Sequence, residues 1–368
     1  MNSISRRRAL AGGGALVVAS AGASVLGYRH MAGTGSYDAA VAATRAALAQ
    51  HPTYPELVRY ATLAPNGHNT QPWKFRVAAD QIDILPDLAR RTPVVDSDDH
   101  HLFVSLGAAA ENLSLAATAR GYAGELAFDP GGNGTVRVAL QSRPMEQSPL
   151  FEAIRHRQST RAEYDGRPVS APDLRQLAEA AVAPGVDLVI ITDHAQMAKV
   201  TDLIVTGNSV QMADAAFVTE LKQWLRFNPP EALVKRDGLF SAASGSPTIP
   251  TWLGPFMFDR FSSAANQNEQ YTRQLKSSAG IAVFLGEVAD PRHWVQVGRA
   301  CQRFALQATA LGLRHAFVNQ PVEVAKLRPA LAALVGMPDR RPDIVMRFGY
   351  GPTLPYSLRR PVASVIVT

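Results

Sequence analysis

Arg157, Ser159 and Arg161 alternate along "RHRQSTR" and carry the most specific chemistry in this 368-residue chain. In an extended segment, side chains two apart fall on one side. This stretch therefore offers a hydroxyl between two forked cations, a set that fits a phosphate dianion. From spacing alone, a solvated charged turn shared with Arg155 explains the same pattern. A second stretch, "APNGHNTQPWKF", places Asn66, Gly67, His68, Asn69, Thr70 and Gln71 directly before Pro72, Trp73 and Phe75, so a polar loop runs into an apolar alternation. A third site lies near the C-terminus, where Arg347 leads to Gly349, Tyr350 and Gly351, with Arg359 and Arg360 beyond. Glycines flanking a tyrosine at a strand end let the backbone approach a ligand, or simply turn the chain.

Other chemistry is absent or weak. The chain holds no phosphate-binding P-loop, no GxGxxG after a strand, no HExxH, no GxSxG and no cysteine cluster. That counts against nucleotide hydrolases, Rossmann dehydrogenases, zinc peptidases and serine hydrolases. "DSDDHH" (96–101) invites a metal, but adjacent histidines at a helix start are expected to point apart, and the carboxylates to cap the helix. No metal site is expected. The single cysteine, Cys301, has no partner for an intrachain disulfide and reads as a small core residue.

The elements that position these residues follow from periodicity. A helix is expected over Asp38 to Gln50, and a second from Thr53, where Thr53 and Glu56 make a capping-box pair and Leu57, Tyr60, Ala61 and Ala64 form an apolar face. Pro65 and Gly67 stop it, and Trp73, Phe75 and Val77, then Ile82 and Ile84, alternate as strands. The polar stretch is thus a helix-to-strand loop. A long helix over Asp99 to Arg120 is closed by Gly121, and two strands joined by a Gly-rich turn follow. Ser148 and Pro149 open the next helix, which ends in the arginine loop. Helices from Ala171 and Asp193, the strands "VDLVIIT", "AGIAVFLGE" and "DIVMRFGYGP", and a helix over Asp290 to Leu311 complete an alternating pattern. Between Asn228 and Gln274 periodicity gives way to Pro, Gly, Ser and isolated aromatics, which reads as a lid.

At 46% hydrophobic content the chain can bury a sizeable core. Four of its six net positive charges belong to Arg6, Arg7, Arg8 and Arg29, so the remainder is close to neutral and nucleic acid is not an expected partner. Those arginines precede an uncharged Ala/Gly-rich run from Ala9 to Gly27. Residues 1–30 match a twin-arginine export signal, with Ala19-Ser20-Ala21 or Ala21-Gly22-Ala23 as a cleavage site. The expected location is periplasmic or extracytoplasmic, or membrane-anchored if the segment is retained.

Taken together, "APNGHNTQPWKF", the Arg157-Ser159-Arg161 loop and "RFGYGP" resemble three motifs of the FMN-dependent nitroreductase family. The resemblance extends from about Tyr54 to Val362 and implies an α+β, nitroreductase-like fold with a mixed central sheet and helices on both faces. It implies FMN as cofactor. Asn66, Gly67, His68, Asn69 and Gln71 would contact the flavin ring, and Arg157, Ser159 and Arg161 its phosphate, with Arg347, Gly349, Tyr350 and Arg359 nearby. His68 or Lys74 would stabilise negative charge on the reduced ring, although alternation turns Lys74 to solvent; Trp73 shares the core face of Phe75 and Val77.

The motif order departs from the family's, because the Arg-x-Ser-x-Arg loop follows the Asn-x-Gln-Pro-Trp loop. This resembles the fused, Acg-like branch: two degenerate halves, 31–147 and 148–368, the second carrying the lid 228–274. The implied assembly is a monomer with an internal pseudo-dimer and one FMN. Flavin carries the redox chemistry, so no protein nucleophile is required. Two functions stay open: NAD(P)H-dependent reduction of an electron-poor acceptor such as a nitroaromatic or quinone, or FMN sequestration beneath a closed lid.

Overall fold

The computed structural model describes residues 34–368; the arginine-rich segment 1–30 lies outside the described residues. The first helix, α1 (Thr34–Thr44), starts earlier than Asp38 and stops well short of Gln50. The carbonyls beyond it go to arginines instead of a further helical turn: Arg59 Nη1 donates to Thr44 and Ala46, and Arg120 to Leu48 and Ala49. The second helix, α2 (Tyr54–Ala61), carries the expected Thr53/Glu56 capping box and buries Leu57, Tyr60 and Ala61.

The strands β1 (Trp73–Val77) and β2 (Gln81–Pro86) then pair antiparallel, with Trp73 opposite Pro86 and Phe75 opposite Ile84. Next come α3 (His100–Thr118), β3 (Leu126–Asp129), β4 (Thr135–Ala139), the short α4 (Pro149–Ala153), α5 (Ala171–Ala180), β5 (Val186–Ile191), α6 (His194–Ala213) and α7 (Ala215–Gln223).

The segment expected to lack periodicity is largely helical. Between the two-residue strands β6 (Leu225–Arg226) and β7 (Leu239–Phe240) lies α8 (Pro229–Lys235), and α9 (Gly254–Phe261) and α10 (Ala264–Lys276) follow. These helices are short or start at strong caps, Asn228 before α8 and Ser263 before α10, and each buries only a residue or two. So little of their surface is buried that no apolar stripe was needed to specify them. The chain ends with β8 (Gly280–Gly286), α11 (Pro291–Ala310), β9 (Arg314–Phe317), α12 (Gln320–Glu323), α13 (Arg328–Leu334), β10 (Pro342–Gly349) and β11 (Ile366–Val367).

The strands divide between two main sheets. One has the order β11-β1-β2-β4-β3 and is mixed, because β11 runs parallel to β1 while the rest is antiparallel. The other, β5-β8-β10-β9, is antiparallel and covered on both faces. Alternation along β8 sends Ala282 and Phe284 into the core with α11, and Ile281, Val283 and Leu285 into a second cluster with Met197, Val200 and Ile204 of α6.

The helices α3 and α11 cross at the centre with almost no side chain between them. A Cβ on Gly107 would lie 2.0 Å from the Val295 carbonyl oxygen, and one on Gly298 would lie 2.1 Å from that of Val104. Farther along the same crossing, Gln302 Nε2 donates to Asn112 Oδ1 at 2.6 Å, and Glu111, almost fully buried, receives Arg299 and Arg303 at 2.9 Å each. After β10 the chain returns to the other sheet. Arg359 Nε donates to Thr62 O at 2.6 Å, and β11 then adds to the edge at β1.

Candidate functional site

One cavity of about 350 Å3 lies where these parts meet, within the ~300–1,000 Å3 range of small-molecule and cofactor sites. The loop between α2 and β1 supplies Asn66, Gly67 and His68, the arginine loop supplies Arg161, and α3 supplies His101, Ser105 and Ala108. The segment 228–274 covers it with Leu239, Ser244, Ser246, Gln270, Tyr271 and Gln274.

The α2–β1 loop is tightly bent. His68, Asn69 and Gln71 all have positive φ, between 46° and 55°, a region rarely occupied outside glycine and asparagine. Asn66 fastens the bend, its Oδ1 accepting from Gln71 N at 2.7 Å. His68 faces the cavity with a buried Nδ1 that meets no protein partner. Burial, then the Arg161 guanidinium, pulls its pKa down to about 4, so the ring is neutral at pH 7.

The Arg161 guanidinium makes no hydrogen bond or ion pair with another described residue; only its backbone is held, Gln274 Nε2 donating to Arg161 O at 2.8 Å. An unpaired cation against a neutral imidazole suits an anionic or electron-rich ligand edge.

The remaining sequence-flagged residues are placed otherwise. Asn69 and Gln71 do not face the cavity. Asn69 Nδ2 donates to Gly238 O at 3.0 Å and Leu358 O at 3.2 Å, and its Oδ1 accepts from Arg359 at 2.9 Å. Gln71 Nε2 donates to Arg236 O, while its Oε1 accepts from Arg360 N. Both therefore bind the covering segment and the C-terminal tail to the loop. Arg359 gives its donors to the carbonyls of residues 62–64 beyond α2, the end of a helix that favours cations.

Arg157 is buried behind the wall, one nitrogen on Leu63 O at 3.0 Å, with Nε and Nη1 unmatched. Burial and neighbouring Arg359 pull this guanidinium below its ordinary pKa, so a nearby anion would relieve it. Ser159 forms a β-bridge with His315 that holds the loop extended. Arg347 is spent on the carbonyls of Thr160, Ala162 and Gln274 and lies 4.1 Å from the Tyr164 ring centroid. The close approach at Gly349 is to protein, since a Cβ would meet Ala279 N and the Tyr164 ring at 3.0 Å. Tyr350 lies under Arg167, whose guanidinium carbon is 4.5 Å from the ring centroid.

The half-exposed Lys74 reaches the buried Asp87 at 3.6 Å, and Trp73 is fully buried in the core. Cys301 is buried as expected, but it also forms part of the cavity floor. In "DSDDHH", Asp96 caps α3, its two oxygens accepting from His101 N and Leu102 N at 2.9 Å each. The histidines do not point apart: their rings lie 4.6 Å between centroids, and His100 Nε2 sits 2.8 Å from Asp343. The helix start is what brings them together, because Asp96 fixes the His101 backbone while Asp343 draws His100 inward.

Several lining residues escaped the sequence reading: Gln211, Tyr271, Asn319, Gln320 and Glu323. Gln211 Nε2 donates to Glu323 at 2.6 Å, and burial pushes the Glu323 pKa up to about 7. The signal that would have found part of this group is "NQP" at 319–321, an echo of "NTQP" at 69–72.

A family model described as Nitroreductase matches residues 154–351. A Mycobacterium tuberculosis H37Rv protein provisionally named an NAD(P)H nitroreductase is 27% identical over 320 residues, covering 83% of this chain and 88% of that protein. Among solved structures, an FMN-dependent nitroreductase from Mycobacterium smegmatis in complex with NADPH aligns at a TM-score of 0.36 and 14% identity, over 55% of this chain and 87% of that one. A Bacteroides fragilis nitroreductase with bound FMN aligns at 0.36 and 16%, over 58% and 96%. With more than half of its length inside that family model, the chain belongs to the nitroreductase family.

Proposed function

We propose that the chain is an FMN-dependent NAD(P)H oxidoreductase that reduces an electron-poor acceptor such as a nitroaromatic or quinone. The observation that carries this reading is the convergence of His68, from the α2–β1 loop, with the unpaired Arg161, from the arginine loop, on one cavity of cofactor size. The donor set fits FMN. Arg161 offers positive charge for an anionic group, with the buried Arg157 adding to it from behind the wall, and Asn66, Gly67 and His68 offer a polar edge for a ring. FMN, when bound, supplies the hydride chemistry. The chain binds and orients it, excludes water beneath the covering segment, and keeps His68 neutral.

The fused-halves reading gains support from the central crossing. A constant shift of 191 positions (298 − 107 and 295 − 104) relates Gly107 to Gly298 and Val104 to Val295, and each glycine meets the other pair's valine carbonyl. That is the reciprocity of a two-fold axis. Under the same shift, Ser105 and Ala108 of the cavity wall correspond to Gln296 and Arg299, whose side chains bond each other at 3.0 Å. Small residues on one side and bulky ones on the other support one FMN per chain and a monomeric pseudo-dimer of the Acg-like kind. Export through the twin-arginine machinery rests on residues 1–30 alone.

A second reading, sequestration of FMN, is favoured by one feature: the cover is fastened down. Asn69 bonds Gly238, Gln71 bonds Arg236, and Arg90 and Arg226 both pair with Asp237. An anaerobic absorbance scan near 450 nm, before and after NADPH or NADH, separates the readings. Bleaching within seconds supports the reductase. A yellow protein that bleaches only with dithionite supports sequestration, and a colourless chain that takes up no added FMN overturns both.

A further inference from the structure

The cavity also carries polar side chains that the flavin reading leaves unused. Gln320 and Glu323 stand three residues apart on α12, so both side chains share a helix face. Gln320 is 8% exposed, and its Oε1 meets no donor. Tyr271 lines the same wall. Gln211 holds one oxygen of Glu323 at 2.6 Å, and among the described residues no bonded donor reaches the other. Two acceptors therefore face one ligand space, with Asn319 beside them and with Arg161, whose charge acts on Tyr271, and His68 on the same cavity wall. Buried acceptors without donors cost stability unless a ligand supplies one.

We propose that Gln320 and Glu323 form a donor-reading subsite that selects electron acceptors carrying a protonated amine or a comparable hydrogen-bond donor. This rests on the oxidoreductase reading for the word acceptor, while the recognition itself needs only the two side chains. Cation binding should grow from pH 6 to pH 8, because Glu323 is the cavity group that ionises there. His68 and His101 are held neutral by burial and their cationic neighbours, and Tyr271 is pushed above its ordinary value by burial. Asp96, whose charge also raises the Glu323 pKa, is itself raised by burial from the ordinary carboxylate range.

The test uses unreactive probes of matched shape, benzylamine and benzoate, titrated calorimetrically into the FMN-loaded chain at pH 6 and pH 8. Benzylamine is expected to bind at least about tenfold more tightly than benzoate at pH 8, the scale of a charge-assisted bond. Glu323→Gln should abolish that preference and its pH dependence while the FMN-to-protein absorbance ratio stays unchanged, and Gln320→Leu should weaken benzylamine alone. Equal binding of the two probes by the unmodified chain, or an E323Q chain that keeps the preference, overturns the subsite. If the chain takes up no FMN, the oxidoreductase reading falls instead. The subsite is then decided on the apo chain by whether E323Q lowers benzylamine affinity.

Discussion

Arg161 and His68 act on one another across the cavity: after burial, the unpaired guanidinium is the second cause holding the imidazole pKa near 4. The pairing puts a permanent cation beside a neutral ring whose Nδ1 is unmatched, which is an arrangement built for a ligand rather than for the fold. Arg161→Gln should therefore move the His68 pKa upward, although burial keeps it below the ordinary value. The same change should weaken FMN binding by about tenfold or more, since it deletes a charge-assisted contact. Imidazole NMR titration and flavin retention on gel filtration read the two effects. An R161Q chain that retains FMN as tightly as the unmodified one removes Arg161 from the cofactor site.

Asn69 is expected to matter for stability, although its motif marks it as a flavin contact. Its three side-chain bonds join the loop, the cover at Gly238 and the tail at Leu358 and Arg359. Asn69→Ala leaves buried partners unmatched and should cost about 1–3 kcal/mol. Limited proteolysis within 228–274 should accelerate with it. Unchanged denaturant midpoint and cleavage rate would show that these bonds do not hold the cover.

The acid limb of stability should carry a His68 signature. Its folded pKa of about 4 lies below the unfolded value, so the unfolded chain binds the proton first. The contribution from keeping the ring neutral is fully present above about pH 6.5 and is lost as pH falls toward 4. In His68→Gln that slope should flatten by about 1–2 kcal/mol between pH 7 and pH 4.5, allowing for the ring's partial exposure. Chemical denaturation at both pH values for the two chains measures it, and identical slopes would mean that His68 does not titrate in this range.

Much of the scaffold was legible in the sequence because it is encoded locally. The Thr53/Glu56 box, the Trp73-Phe75 alternation and Gly121 at a helix end each specify their own element. The cover was less legible, since α8, α9 and α10 bury too few residues to write an apolar stripe. The strand β11 was missed because two residues carry no period; its pairing with β1 exists only once the tail has crossed between sheets. At the site, spacing found the loops but not the directions of their side chains. Arg157 and Arg161 alternate as read, yet one is buried behind the wall and the other is in the cavity. The "NQP" echo reaches Asn319 and Gln320 but not Glu323, so only folding reveals that this group shares a cavity wall with Tyr271.

The last prediction concerns the α3–α11 crossing, which the fused-halves proposal takes as its axis. Gly298→Ala would place a methyl 2.1 Å from Val104 O, and Gly107→Ala one 2.0 Å from Val295 O, so in each case α3 and α11 must move apart. Overpacking of this kind costs about 1–3 kcal/mol, and more where the obstacle is backbone. Because the contacts are reciprocal, the two costs should be similar, and the double variant should cost less than their sum, since the first methyl has already separated the helices. Gly35→Ala, with open space around it, serves as the control and should be neutral or slightly stabilising. Urea unfolding of the four variants decides: additive costs would mean that the glycines act at independent sites, and the two-fold relation between the halves would lose its structural basis.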